Sequence, residues 1–202
     1  MTRTRTLALL LTVAALATPI AARADVFGLT VEVWGGWKRY DALGLKNNLS
    51  SAPDRDLLKG SFNAVGGDAV LKLGLLELGA LYEGGLNYAS TRTATLAPMA
   101  GLGFDVSFLR VELLGEVGGQ RYYNIAGSTQ STWLPFLGVR PGLSLRLDVL
   151  GPVRLVLGAW GFSRWDLTKS TVNVPGTANG PSTAYDVGGN TIGVVGRVGL
   201  EI

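Results

Sequence analysis

Residues 141–160 read PGLSLRLDVLGPVRLVLGAW, and their alternation decides the fold. Leu143, Leu145 and Leu147 alternate with Ser144 and Arg146; beyond a DVLGP turn, Val153, Leu155 and Leu157 alternate with Arg154 and Gly158. A period of two is the side-chain period of a β-strand, so each half of the segment puts aliphatic residues on one face and arginine on the other. Two strands joined by a tight turn are predicted.

The same period recurs from Phe27 onward, and helical spacing never persists. It predicts eight strands, at 27–39, 61–74, 76–88, 95–108, 110–123, 133–147, 153–166 and 189–202. These exceed the roughly five or six residues usual in globular proteins. Tight connections at Gly74 to Leu76, Phe108 to Arg110 and Asp148 to Pro152 alternate with longer ones at 40–60, 89–94, 124–132 and 167–188. In an up-and-down antiparallel meander, that alternation gathers the tight turns at one end and the long loops at the other.

One strand face carries Leu29, Val31, Val33, Ala69, Leu71, Leu73, Leu102, Phe104, Val111, Leu113, Leu143, Leu155, Val198 and Leu200, with no charge through its middle. The opposite face carries the acids Glu32, Asp68, Glu77, Glu83, Asp105, Glu112, Glu116 and Glu201. It also carries the bases Lys38, Lys72, Arg110, Arg140, Arg146, Arg154, Arg164 and Arg197. Glycines such as Gly79, Gly101, Gly118, Gly142 and Gly158 share that charged face.

Alternation alone leaves inside and outside open. In a soluble barrel of lipocalin type the aliphatic face lines the lumen; in a membrane barrel it meets lipid and the polar face fills the interior. Three features favour the membrane arrangement. A charged face thinned by glycine suits the narrow interior of an eight-stranded barrel, whereas glycine weakens strands that merely face water. Nothing helical is predicted to cover the broad aliphatic face. Aromatic residues crowd the long-loop end, where Trp37, Tyr82, Tyr88, Tyr123, Trp133 and Trp165 would form an interfacial girdle, with Phe27, Phe104 and Phe108 as a sparser counterpart near the turns. Leu81, Leu114, Val156 and Val195 fall on the interior face as misfits, and a bulge near Gly66 and Gly67 is expected to return Phe62 and Ala64 to the lipid side.

The first residues differ in kind. Arg3 and Arg5 precede an apolar stretch from Leu7 to Ala17, then Pro19 and the small-x-small run Ala22-Arg23-Ala24, the pattern of a cleaved secretory signal. The expected organisation is a signal peptide at 1–24 and a barrel at 25–202. The signal's only charges are Arg3, Arg5 and Arg23, and taking those three from the 18 basic residues leaves as many as the 15 acidic ones. The basic character of the whole sequence therefore gives no electrostatic argument for a nucleic-acid partner. Cysteine is absent, which excludes disulfides and thiolate metal sites.

An exported chain with eight alternating strands, tight turns at one end, long loops at the other and a charged interior resembles the small outer-membrane barrels typified by outer membrane proteins A and X. The resemblance is architectural. It implies a transmembrane barrel in a Gram-negative-type outer membrane, exported through a Sec-type signal and inserted by the barrel-assembly machinery, with outer-membrane lipid as its surroundings. The family's last strand usually ends in an aromatic residue; here TIGVVGRVGLEI ends in Ile202. The soluble wall-binding domain of some such barrels is not expected.

Enzymes, channels and surface proteins share this architecture. The chain has no histidine, so histidine-dependent triads and histidine metal sites are excluded. Glu112 and Glu116 stand four residues apart on one strand, roughly 13 Å at 3.3 Å per residue, beyond the separations glycosidases use. No nucleophile elbow, P-loop or dinucleotide fingerprint occurs, and no catalysis, cofactor or metal is expected. Interior charges mark ion paths in membranes, but balanced pairs in so narrow a barrel are expected to form a closed network. A narrow gated pore is the alternative, and a lipocalin-like carrier the second. The loop-end segments 40–60 and 167–188 are long enough to suggest surface contact, with no ligand legible in them. Candidate features are Asp54 and Asp56 in the first of these for a cation and, near the girdle, Trp37 with Arg39 or Arg121 for lipid head groups.

Overall fold

All eight strands of the meander are present in the computed structural model, which describes residues 27–41, 60–86, 92–124, 129–174 and 183–202. The strands are β1 (Gly28–Asp41), β2 (Gly60–Leu73), β3 (Leu76–Leu86), β4 (Arg92–Val106), β5 (Leu109–Tyr123), β6 (Ser131–Leu150), β7 (Val153–Asp166), β8 (Ser170–Val174), β9 (Thr183–Val187) and β10 (Asn190–Glu201). Seven of them, β1 to β7, pair in sequence with antiparallel neighbours, and β10 closes the barrel between β7 and β1. The remaining pair, β8 and β9, is a separate two-stranded sheet.

That small sheet corrects the reading of 167–188 as a loop. STVNV and TAYDV are rich in β-branched residues that alternate, and Val172 and Val187 are buried. Ser, Thr, Asn, Gly and Pro in the same segment masked that short period.

The tight turns lie where expected, at Gly74 and Leu75, Ser107 and Phe108, and Gly151 and Pro152. The predicted bulge in β2 is absent. Its register with β1 runs unbroken from Lys72 opposite Gly28 to Gly60 opposite Tyr40, so Ala64 stays inside, buried; the side chain of Phe62 lies outside the described residues. Glycines explain why no bulge is needed, because Gly66 leaves room for the indole of Trp34 across the lumen side. A register shift does occur between Asp148 and Leu150, at the turn end of β6. The ladders omit Pro98 toward β5 and Pro141 toward β7 without changing register, as expected of a residue with no N–H to donate.

The faces sort as a membrane barrel requires. Val33 is 61% and Leu113 58% exposed on the outer wall, whereas Glu77 and Arg140 are fully buried inside. A lipocalin-like carrier needs an apolar lumen, and this one is filled with charge. The misfits Leu81, Leu114, Val156 and Val195 do point inward, where they join Trp34, Met99, Phe136, Trp160 and Phe162 in one apolar cluster.

Candidate functional site in the barrel interior and at its mouth

Inward positions alternate along every barrel strand, and the ladder fixes which of them share a level. Thus β1 sets Lys38 toward the loop end and Glu32 toward the turns, while β5 sets Glu116, Glu112 and Arg110 at successively lower levels.

The charged side chains form two connected chains. In the upper one, Lys38 Nζ donates to Thr93 Oγ1 at 2.8 Å and pairs with Glu83; Arg164 donates to Glu83 Oε2 at 2.8 Å and to Glu116 Oε2 at 2.6 Å. Glu116 also takes Arg140, which reaches Asp68 Oδ2 at 3.5 Å. Three acids and three bases therefore alternate along one chain.

The lower chain begins with Arg197, which donates to Glu32 Oε2 at 2.9 Å and pairs with Glu112. Glu112 accepts from Arg110 at 3.0 Å, and Arg110 also holds Glu77 at 2.9 Å and Asp105 at 2.7 Å. Arg146 then links Asp105, at 2.6 Å, to Glu201, at 3.0 Å. Lys72 pairs with Glu201 as well, and Arg154 connects Glu201 at 3.3 Å to Asp148 at 3.0 Å. The two chains meet at Trp160, whose ring lies under Arg140 at 5.4 Å and under Arg197 at 3.9 Å.

Every residue of the predicted charged face is thus placed on one of these two chains, but not all at the same depth. The side chains of Arg154 and Asp105 are 31% and 29% exposed, so these two stand at the turn-end rim rather than deep in the lumen. The expected girdle residues Trp37, Tyr82, Trp133 and Trp165 are exposed on the outer wall, Tyr123 is half-buried, and Tyr88 lies outside the described residues. Asp54 and Asp56 also fall outside them.

The charge pattern missed the aromatic partners and the mouth. Arg140 stacks over Trp34 at 5.1 Å and Phe162 at 5.9 Å; Arg164 stacks over Phe162 at 4.4 Å and Phe136 at 5.3 Å. Parity held the signal, since Trp34 shares its strand face with Glu32 and Lys38. At the mouth, Asp166 is a further inward acid. It accepts from the Tyr122 hydroxyl at 3.2 Å and the Gly189 amide at 3.1 Å, and Tyr40 takes the Gly188 amide at 2.7 Å. Tyr40 and Tyr122 touch, their ring centroids 5.0 Å apart. These bonds tie the end of the β8–β9 hairpin to the rim.

Such an interior can lock register; among the described residues it gathers no group of side chains suited to hold a metal ion. No family model matches the sequence, and the search of curated proteins finds no match. Among solved structures, the chain is similar to Neisserial surface protein A, with a TM-score of 0.55 and 16% identity over 89% of this chain and 98% of that one. The fold is that of the small outer-membrane barrels. The N-terminal β-barrel domain of Pseudomonas aeruginosa OprF also matches, with a TM-score of 0.49 and 14% identity over 87% of this chain and 97% of that domain. For a small outer-membrane barrel, the aliphatic outer wall is the lipid-facing surface and the charge chains are the lumen filling.

Proposed function

We propose that this is an outer-membrane protein whose barrel is closed to solutes and which works, without catalysis, in envelope integrity or surface contact through the structures at its loop end. One observation carries the reading. At the level of Glu83, Glu116, Arg140 and Arg164 the lumen is filled by side chains no more than 1% exposed, each carboxylate holding two cations and each guanidinium laid over aromatic rings. Opening a water path there means separating several ion pairs at once, and breaking one buried pair already costs about 3–5 kcal/mol. The anchored β8–β9 hairpin at the mouth supports a role at the loop end.

The test is conductance of the folded chain in planar lipid bilayers. The expected result is a flat baseline for the wild type, with steps appearing only when Glu116 and Arg164 are both replaced by alanine. Reproducible unitary steps from the wild type would overturn the closed-barrel reading in favour of a pore.

A further inference from the structure

The outer wall is not uniformly smooth. Along one rung of the ladder, Gly196 stands opposite Gly35, Gly35 opposite Val65, Val65 opposite Gly84, Gly84 opposite Ala94 and Ala94 opposite Arg121. All six point outward, and the absent or small side chains at Gly196, Gly35, Val65 and Gly84 open a furrow of about 1010 Å³ bordered by Val33, Tyr82 and Val198. A second hollow of about 490 Å³ shares Val65 and Gly84 with it and ends against Arg92 and Tyr123.

Two observations fit the furrow to a ligand from outside the chain. The first is steric. Inward glycines are imposed by the fold, since a Cβ at Gly36, Gly79 or Gly118 would overlap the backbone of the next strand. A Cβ at Gly35, Gly84 or Gly196 would meet nothing closer than 3.8 Å, so nothing in this chain requires glycine there, although glycine weakens a strand. The second is charge. Arg92 lines the second hollow, and Arg121 stands beside it on the neighbouring strand, diagonal to Arg92; both are exposed. Among the described residues Arg121 contacts only neutral groups, the Ser131 hydroxyl at 2.9 Å and the Tyr123 ring at 5.6 Å, and no described acid faces outward at this level.

We propose that the furrow seats one anionic phospholipid, whose phosphate charge no choline or amine offsets, from the leaflet at the loop end. Its acyl chain lies along Gly35, Val65 and Gly84, and its phosphate is held by Arg92 and Arg121. Guanidinium groups match phosphate oxygens in a bidentate fork, and tyrosine and tryptophan beside them sit at head-group depth. The inference rests on the membrane-barrel reading above and adds a specific lipid site to it.

The experiment reconstitutes the full chain into vesicles of phosphatidylcholine containing a minority of phosphatidylglycerol, and native mass spectrometry reads which lipid stays bound. The wild type retains phosphatidylglycerol preferentially. Arg92→Gln and Arg121→Gln each lower that preference roughly fivefold. Lys169→Gln, which removes the same charge from an exposed segment, leaves it unchanged. Gly84→Leu fills the furrow and abolishes retention with both arginines present. Equal retention of the two lipids by the wild type, or an unchanged preference in the double arginine variant, overturns the site while leaving the membrane barrel standing. A wild-type chain that fails to float with the vesicles overturns both.

Discussion

The guanidinium of Arg197 lies over the ring of Trp160, its central carbon 3.9 Å from the centroid, and the same ring carries Arg140 at 5.4 Å. Trp160 thereby stands between two separately paired ion chains and gives both an attractive surface. A desolvated cation–π contact contributes about 2 kcal/mol, and truncating a buried tryptophan costs about 3–5 kcal/mol in all. Trp160→Leu is therefore expected to lower the unfolding free energy by about 3 kcal/mol, measured by urea titration in lipid vesicles. Trp160→Phe keeps a ring face and also removes the buried Nε1, which makes no hydrogen bond, so it should lose less than half as much. Equal losses in the two variants would show that volume alone matters at this position.

Depth should grade the value of the interior charges. Glu116 is buried and serves both Arg140 and Arg164, so Glu116→Leu takes one of two carboxylate partners from each and should cost about 3–5 kcal/mol. Arg154 pairs with Glu201 inside but also with Asp148, whose side chain is 85% exposed, and half-solvated pairs contribute about 1 kcal/mol or less. Arg154→Leu should therefore fall between Glu116→Leu and Lys169→Leu, the last being close to neutral. An Arg154 variant as damaging as the Glu116 one would contradict this depth order.

What the sequence made legible was whatever follows from period two. Strict alternation placed Glu32, Lys38, Glu112, Glu116, Arg140 and Arg164 on one face, and strand closure then brought them within ion-pair distance. Which acid meets which base was not legible, because partners such as Lys38 and Glu83 meet across the lumen from strands that do not pair with each other. Two errors have a common origin in composition. The glycine pair at Gly66 and Gly67 suggested a bulge, yet Gly66 makes room for Trp34; the Ser- and Thr-rich segment suggested a loop, yet Val172 and Val187 pack. In the first case the decisive fact was a side chain from another strand; in the second it was the pairing of the segment's two ends, which a short window does not contain.

The mouth supplies a local test. Asp166 accepts from Tyr122 and from the Gly189 amide, while its own amide donates to the Gly189 carbonyl at 2.9 Å. Bonds to a charged acceptor contribute about 1.5–3 kcal/mol each. Asp166→Ala is expected to speed amide hydrogen exchange across residues 183–189 by roughly tenfold or more, because a loss of about 1.4 kcal/mol already corresponds to tenfold. Barrel strands β1 to β7 should keep their protection. Faster exchange spread evenly over the whole barrel would show that the carboxylate supports the barrel rather than the hairpin.

The tight turns give the last prediction. Each holds one residue in the left-handed region, with φ of 65° at Gly74, 57° at Gly151 and 61° at Ser107. Glycine takes that conformation freely, whereas an L side chain costs about 1–2 kcal/mol there and asparagine is tolerated best. A Cβ at Gly74 would meet nothing within 4 Å, so Gly74→Ala changes the backbone preference without adding a clash. It should destabilise the barrel by about 1 kcal/mol, while Ser107→Asn, which eases the same strain, should stabilise it by up to about 1 kcal/mol. Both are read as shifts of the urea midpoint at unchanged slope. Opposite signs for the two variants are required by the turn geometry; a destabilising Ser107→Asn would mean that the serine hydroxyl contributes more to this turn than the backbone strain takes away.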